Sequence, residues 1–274
     1  MEFSTASQPR GSLFPNRSTL PLLITACCFY SGDLTVSFGM CRGVVRVRFN
    51  RESRGAMKSS IDPGQIIILN GAPRSGKSSI ISVIQETFDG VWLNLGVDVY
   101  RHVTPRRFLP GIGLRPGGER PELEALVALL YAGLYETIAA QSRLGLNVVV
   151  DVGHHDDYAQ PRCILADCAR RLAGLPVLFV GIRCPIEVIM ERRNAGQIGR
   201  EDLYVTGSSD NPIPEPVRRW QREVHIPGIY DLELDTSLLS PMECAEAIRQ
   251  RIAVGPPPTA FQRLARGSIQ NDHG

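Results

Sequence analysis

Residues 71–79 read GAPRSGKSS, and the spacing of Gly71, four residues, then Gly76-Lys77-Ser78 matches a pattern with a defined chemistry. In G-x-x-x-x-G-K-[ST], successive backbone N–H groups cradle phosphates, the lysine reaches the β and γ oxygens, and the hydroxyl ligates Mg2+. The lysine stands out, because the chain has only two, Lys58 and Lys77, against 28 arginines. A guanidinium is a planar fork, whereas an ammonium is a compact point charge that can enter a narrow backbone loop. The expected nucleotide-phosphate contacts are therefore Gly71, Ala72, Pro73, Arg74, Ser75, Gly76, Lys77, Ser78 and Ser79, with Lys77 also catalytic and Ser78 also a metal ligand.

Further along, three groups of polar residues could serve the same chemistry. Asp151 closes the run NVVV at 147–150, the usual place for a carboxylate that holds Mg2+ beside the phosphate-loop serine; the alternative is a helix-capping aspartate. Asp98 follows VWLNL at 91–95 and opens residues 99–120, which read as a long loop of the kind that forms a substrate pocket or lid. From spacing alone, Asp98 is either the acceptor of a proton from an attacking hydroxyl or a cap or turn residue. Arg192 and Arg193, near the end of a helical stretch, and Arg200 beyond it either stabilise phosphate charge or form a solvated face.

His154 and His155 are adjacent and have no third ligand at zinc spacing, so they are expected to line an acceptor pocket. His225 reads as a packed or helix-end histidine, and Trp92 and Trp220 as core anchors.

These residues need a scaffold, and the chain supplies an alternating one. Short apolar runs at 65–69, 91–95, 147–150, 176–180 and 230–234 predict five strands, with helical stretches between them. The clearest helix is 121–143, where Leu123, Leu126, Val127, Leu130, Leu134 and Ile138 form one stripe, with Pro121 at its start and Gly145 past its end. Pro185 and Pro241 open two more. Such alternation implies a mainly parallel sheet covered on both faces. In sheets of this kind ligands bind beyond the carboxyl ends of the strands, where the polar residues above are placed.

Residues 1–56 hold seven arginines and three acids, and the remainder holds 23 basic and 25 acidic residues. That slightly acidic body argues against a nucleic-acid surface. No unbroken apolar run reaches the 18 or so residues of a membrane span. Seven cysteines, without C-x-x-C or zinc spacing, fit reduced and mostly buried thiols in a cytoplasmic protein.

The segments IIILNGAPRSGKSSI, VWLNLGVD, VVVDV, LFVGIRCPIEVIMERR and VHIPGIYDLELDTS together resemble the chloramphenicol 3-O-phosphotransferase family, over about residues 66–252. The resemblance implies a three-layer α/β, P-loop kinase-like domain with a five-stranded parallel sheet flanked by helices. It implies transfer of the γ-phosphoryl of ATP, with Mg2+, to a hydroxyl of a small molecule such as chloramphenicol or a related antibiotic. Asp98 matches the family's catalytic base, Lys77 and its loop the phosphate site, and Arg192 an arginine of the family's lid. The later lid arginines and the acceptor loop depart from the family pattern.

Other targets for the same loop are a nucleotide sugar, as in toxin-like kinases, or a metabolite, as in shikimate- or gluconate-type kinases. A guanine-nucleotide switch would need N-K-x-D, and neither lysine follows an asparagine. Residues 57–254 are the expected phosphotransferase domain, 255–274 a disordered tail, and 1–56 an extension that is disordered or belongs to a mis-assigned start, Met57 being the expected initiator. Mass spectrometry of the native protein should then find no peptides upstream of Met57; finding them refutes this start.

Overall fold

The computed structural model describes residues 62–108, 114–195 and 204–267. The expected extension and Arg200 lie outside them. Five strands, β1 (Ile66–Asn70), β2 (Trp92–Asn94), β3 (Asn147–Val152), β4 (Val177–Arg183) and β5 (Leu232–Asp235), form one sheet in the order β2-β3-β1-β4-β5. Every neighbouring pair is parallel.

Every residue of β1 is buried, and its alternate side chains feed two different cores. Ile66 and Ile68 join Val148, Val150 and Phe179 on one face, while Ile67 and Leu69 join Val149, Leu178 and Val180 on the other. The continuous β-branched run in the sequence is thus the signature of a strand covered on both sides. The first face is covered by α3 (Glu124–Arg143) and α4 (Ile164–Arg171), the second by α1 (Lys77–Thr87) and α7 (Pro241–Val254). Helix α7 starts on a capping box, in which Ser240 Oγ accepts from Glu243 N and Ser240 N donates in turn to Glu243 Oε2. Beyond the strand tips, α5 (Ile186–Asn194) and α6 (Glu215–Glu223) bury Ile189, Met190, Val217 and Val224 against Ala72 of the phosphate loop.

The structure corrects three expectations. Asp98 does not stand at the mouth of an unstructured loop: it lies in the first turn of α2 (Val97–Val103), and a 3-10 turn follows at Arg106–Phe108. The short apolar stripe of α2, Val97 and Tyr100, packs on the core but is too brief to show as a period. Strand β3 runs on through Asp151 to Val152, so that the carboxylate projects from the strand itself. The segment 255–274 is not a disordered tail throughout, because Ala260–Gly267 form helix α8. Phe261 of α8 lies with its ring 5.0 Å from Phe179 and 6.4 Å from Tyr135, and Leu264 is buried beside it. The three prolines at 256–258 mask this helix in the sequence, but they precede it rather than interrupt it.

The stretch Pro121–Arg143 has the length and apolar content of a membrane span; here it is a core helix, with Val127, Leu134 and Ile138 buried against the sheet. Of the cysteines in the described residues, Cys168, Cys184 and Cys244 are buried and Cys163 is exposed, all four as free thiols. Phe261→Ala should lower the unfolding free energy by about 3 kcal/mol, the cost of emptying an aromatic site between sheet and helix. Urea titration checks this, and an unchanged midpoint would mean that α8 does not seal the core.

Candidate active site

The phosphate loop runs from the end of β1 to the start of α1, and its shape follows from its glycines. Gly76 has φ 96°, a left-handed conformation that glycine adopts without strain, and Arg74 shares that region at φ 74°. Helix α1 begins at Lys77 with no side-chain cap and no acidic residue in its first turn. Its first N–H groups therefore point their positive ends outward without a partner from a side chain, which is the arrangement that receives a phosphate. Lys77 Nζ donates to the carbonyls of Gly71 at 2.7 Å and Ala72 at 2.9 Å, folding back over the loop it belongs to. This enclosure lowers its pKa to about 8, against the opposing pull of the Asp151 and Asp98 carboxylates. Ala72 and Ser75 are buried. Thr236, just past β5, donates from Oγ1 to Ser75 O at 2.7 Å and so pins the middle of the loop.

The pairing of β1 with β3 sets Leu69 opposite Asp151, which brings the carboxylate beside the loop that follows Leu69. Ser78 Oγ donates to Asp151 Oδ2 at 3.2 Å. Burial raises the pKa of Asp151, the Lys77 charge opposes the rise and the Asp98 charge adds to it. Gly96 explains how β2 can come so close, since a Cβ there would lie 1.7 Å from Asp151 Oδ1. One residue on, Val97 starts α2, and Asp98 faces the same crevice, with Arg101 Nη1 3.5 Å from its Oδ1.

A cavity of about 750 Å3 joins these groups, and Lys77, Ser78, Asp98, Asp151 and Arg192 all line it. These five of the residues singled out in the sequence thus come together from β3 and the segments that follow β1, β2 and β4. Three aromatic residues whose place there sequence reasoning missed also line it, Tyr131, Tyr204 and Trp220. Trp220 packs on the buried cluster around α5 and α6, as expected of an anchor, and also walls the cavity; its place on a short, strongly polar helix was the available clue to the second role. The two arginines at the end of α5 behave differently. Arg192 donates to Thr236 O at 2.8 Å, Thr236 Oγ1 at 3.1 Å and Arg74 O at 3.3 Å, whereas the hydrogen bonds of Arg193 among the described residues go to the carbonyls of Val205 at 3.2 Å and Pro73 at 3.5 Å.

His154 and His155 do not line the cavity; they are buried behind it. His154 Nε2 pairs with Tyr135 Oη at 2.7 Å and its backbone N donates to Asn70 Oδ1 at 2.8 Å. Asn70 Nδ2 then donates to Val224 O at 2.8 Å and Tyr230 Oη at 2.9 Å, and Tyr230 Oη pairs with His225 Nδ1 at 2.9 Å. This buried network ties the tip of β1 to the segments on both sides of it, because each polar group removed from water must find its partner inside.

Fold and crevice together define a P-loop protein, one built to hold the phosphates of a nucleotide at a sheet edge. Residues 64–253 match the family model described as "Chloramphenicol phosphotransferase-like protein", and the chain belongs to that family. A Mycobacterium tuberculosis protein, named "Putative O-phosphotransferase" in strains CDC 1551 and H37Rv, is 26% identical over 227 residues, which span 78% of this chain and 93% of that one. Among solved structures, an unliganded sugar kinase from Janibacter sp. HTCC2649 aligns with a TM-score of 0.47 and 16% identity over 71% of this chain and 97% of its own. Shikimate kinase from Acinetobacter baumannii, in complex with shikimate, aligns with a TM-score of 0.47 and 13% identity over 70% and 94%.

Burial lowers the pKa of His154 to about 3 and of His225 to about 4, so both are neutral in the folded protein at pH 5 and above. The unfolded chain protonates them near pH 6.5 and binds protons the folded state does not, so stability should fall as pH drops from 6.5 toward 4. The expected slope is about 1.4 kcal/mol per pH unit for each histidine. Urea unfolding at pH 7, 6 and 5 reads it, and His225→Gln should flatten the slope; an unaltered slope in that variant would exclude His225 as a contributor.

Proposed function

We propose that this protein is an ATP- and Mg2+-dependent O-phosphotransferase that moves the γ-phosphoryl group to a hydroxyl of a small molecule, chloramphenicol or a related antibiotic being the acceptors its family suggests. The observation that carries this reading is that Lys77, the Ser78–Asp151 pair and Asp98 line one cavity. The uncapped start of α1 and the loop amides receive the triphosphate, and Lys77 exchanges its two loop carbonyls for phosphate oxygens.

Ser78 and Asp151 fit a divalent cation: a hydroxyl and a carboxylate 3.2 Å apart, the carboxylate desolvated and without an arginine partner among the described residues. No cluster of three acidic, histidine or cysteine ligands stands there among the described residues, which suits Mg2+, an ion that keeps waters and substrate phosphates in its shell. When bound, the ion offsets negative charge on the phosphates. Asp98 orients the acceptor and takes its proton. The acceptor oxygen forms a bond to the γ phosphorus as the bond from that phosphorus to the β–γ bridging oxygen breaks, and ADP leaves with the electron pair. Water exclusion by Tyr131, Trp220 and Leu114 favours transfer over hydrolysis.

On the acceptor side the arginines are already balanced. Arg101 sits 3.5 Å from Asp98, and Arg115 lies 3.3 Å from Glu119. With Val97, Leu114, Tyr131 and Trp220 around them, this half of the cavity suits a neutral, partly apolar alcohol better than an anionic metabolite. A protein that consumes ATP acts where ATP is, in the cytoplasm.

Asp98→Asn should keep nucleotide affinity and lower the transfer rate by about 100-fold or more, the usual worth of a general base. Asp151→Asn should instead weaken Mg2+-nucleotide binding by about tenfold. A radiolabelled-ATP screen over chloramphenicol and other hydroxylated compounds, run on both variants, reads the two effects apart. Equal loss of nucleotide affinity in both would mean these roles are wrong.

A further inference from the structure

Five arginines line the cavity: Arg74, Arg101, Arg115, Arg192 and Arg193. Four are engaged. Arg101 and Arg115 pair with carboxylates, Arg74 donates through Nε and Nη2 to Arg192 O, and Arg192 spends its donors on Thr236, Arg74 O and Cys184 Sγ. Arg193 differs in being only 6% exposed with no carboxylate within ion-pair distance among the described residues; its Nε, like that of Arg101, has no hydrogen-bond partner. Its guanidinium lies 5.4 Å from the centre of the Tyr204 ring, which Arg74 also faces at 5.3 Å.

A buried cation is costly unless something neutralises it, and here the neighbouring arginines add to that cost. Burial lowers the Arg193 pKa to about 10, the Tyr204 hydroxyl opposes the fall, and Arg115 and Arg74 push it further down. Lys77 feels Arg193 in turn. Such a concentration of positive charge around a half-open cavity, with the Arg193 guanidinium held by carbonyls and its Nε unpartnered, is a seat for a multiply charged oxyanion. The position says which one, since Arg193 Nη2 touches the carbonyl of Pro73, in the phosphate loop between Gly71 and Lys77.

We propose that Arg193 is the group that grips the terminal phosphoryl of the nucleotide, and that its neighbour Arg192 is a positioning residue that braces the phosphate loop through Arg74 and the Thr236 turn. The proposal rests on the nucleotide-binding part of the phosphotransferase reading. It moves the phosphate-facing role by one residue from the arginine that the sequence resemblance picks out. One step along a helix turns a side chain by about 100°, so Arg192 and Arg193 leave α5 in different directions and cannot share one task.

The test compares ADP with a non-hydrolysable ATP analogue by calorimetry in one Mg2+ buffer. Arg193→Met should leave ADP affinity within about threefold of wild type and weaken the analogue by about 10- to 100-fold, the worth of charge-assisted bonds to one phosphoryl group. The nucleotide-free variant should also melt at a higher temperature, since it no longer buries an unpaired charge. Arg193→Lys, which keeps the charge and loses the fork, should recover only part of the difference. Arg192→Met should weaken ADP and the analogue together, because the loop it braces holds every phosphate.

Unchanged binding of the analogue by Arg193→Met overturns the proposal. So does equal loss of both ligands with a lowered melting temperature, which would make Arg193 a strut. A wild-type protein that binds the analogue no better than ADP overturns it as well. Because the readout is binding, a failure to find any acceptor would count against phosphoryl transfer and leave the Arg193 contact standing.

Discussion

The site depends on the parallel pairing of β1 with its two neighbours. Parallel strands end at the same edge of the sheet, so whatever follows each strand is delivered to one place. The register sets Asn70 opposite Val152 of β3 and Gly181 of β4, so the phosphate loop leaves the sheet with Asp151 on one side and the turn toward α5 on the other. A slip of one residue in this pairing would turn Asp151 to the opposite face and bury a valine at the crevice. The ladder is well specified, because both faces of β1 are packed and neither core would accept the inverted pattern.

Charge is the second constraint. The crevice gathers Lys77, Arg74, Arg192 and Arg193 around two carboxylates, Asp98 and Asp151, in an enclosure that burial has partly dried. A low-dielectric site strengthens every interaction within it, including the repulsions. The chain tolerates this by lending its cations to its own backbone: Lys77 to Gly71 and Ala72, Arg74 to the Arg192 carbonyl, and Arg192 to Thr236. Carbonyl partners of this kind are easily exchanged for stronger anionic ones. The loop's hold on its own cations and its fitness for nucleotide phosphates are thus the same feature.

Much of the scaffold is legible in the chain because it obeys short-range rules. A β-branched run such as IIIL can be buried on both faces only in a covered sheet, and proline at a helix start or glycine past its end acts through local backbone geometry. Helix α2 and helix α8 escaped that reading for physical reasons. The first has an apolar stripe of only two residues, and the second owes its order to Phe261 packing against Phe179 and Tyr135, which are far away in sequence. Trp220 and Tyr131 belong to the same category, since each is placed at the cavity by the helix that carries it.

By itself, the amino-acid sequence determined the phosphate loop, the alternation of strands and helices, and the carboxylates at 98 and 151, because residue type, spacing and periodicity act over a few positions. Only the tertiary structure decided that Asp151 projects from within a strand against the bare Cα of Gly96, that the paired histidines are buried behind the cavity, and that Arg192 and Arg193 have separate partners. Those facts depend on where a side chain points and on what desolvates it. Both are set by the packing of elements distant in the chain, and no local pattern encodes them.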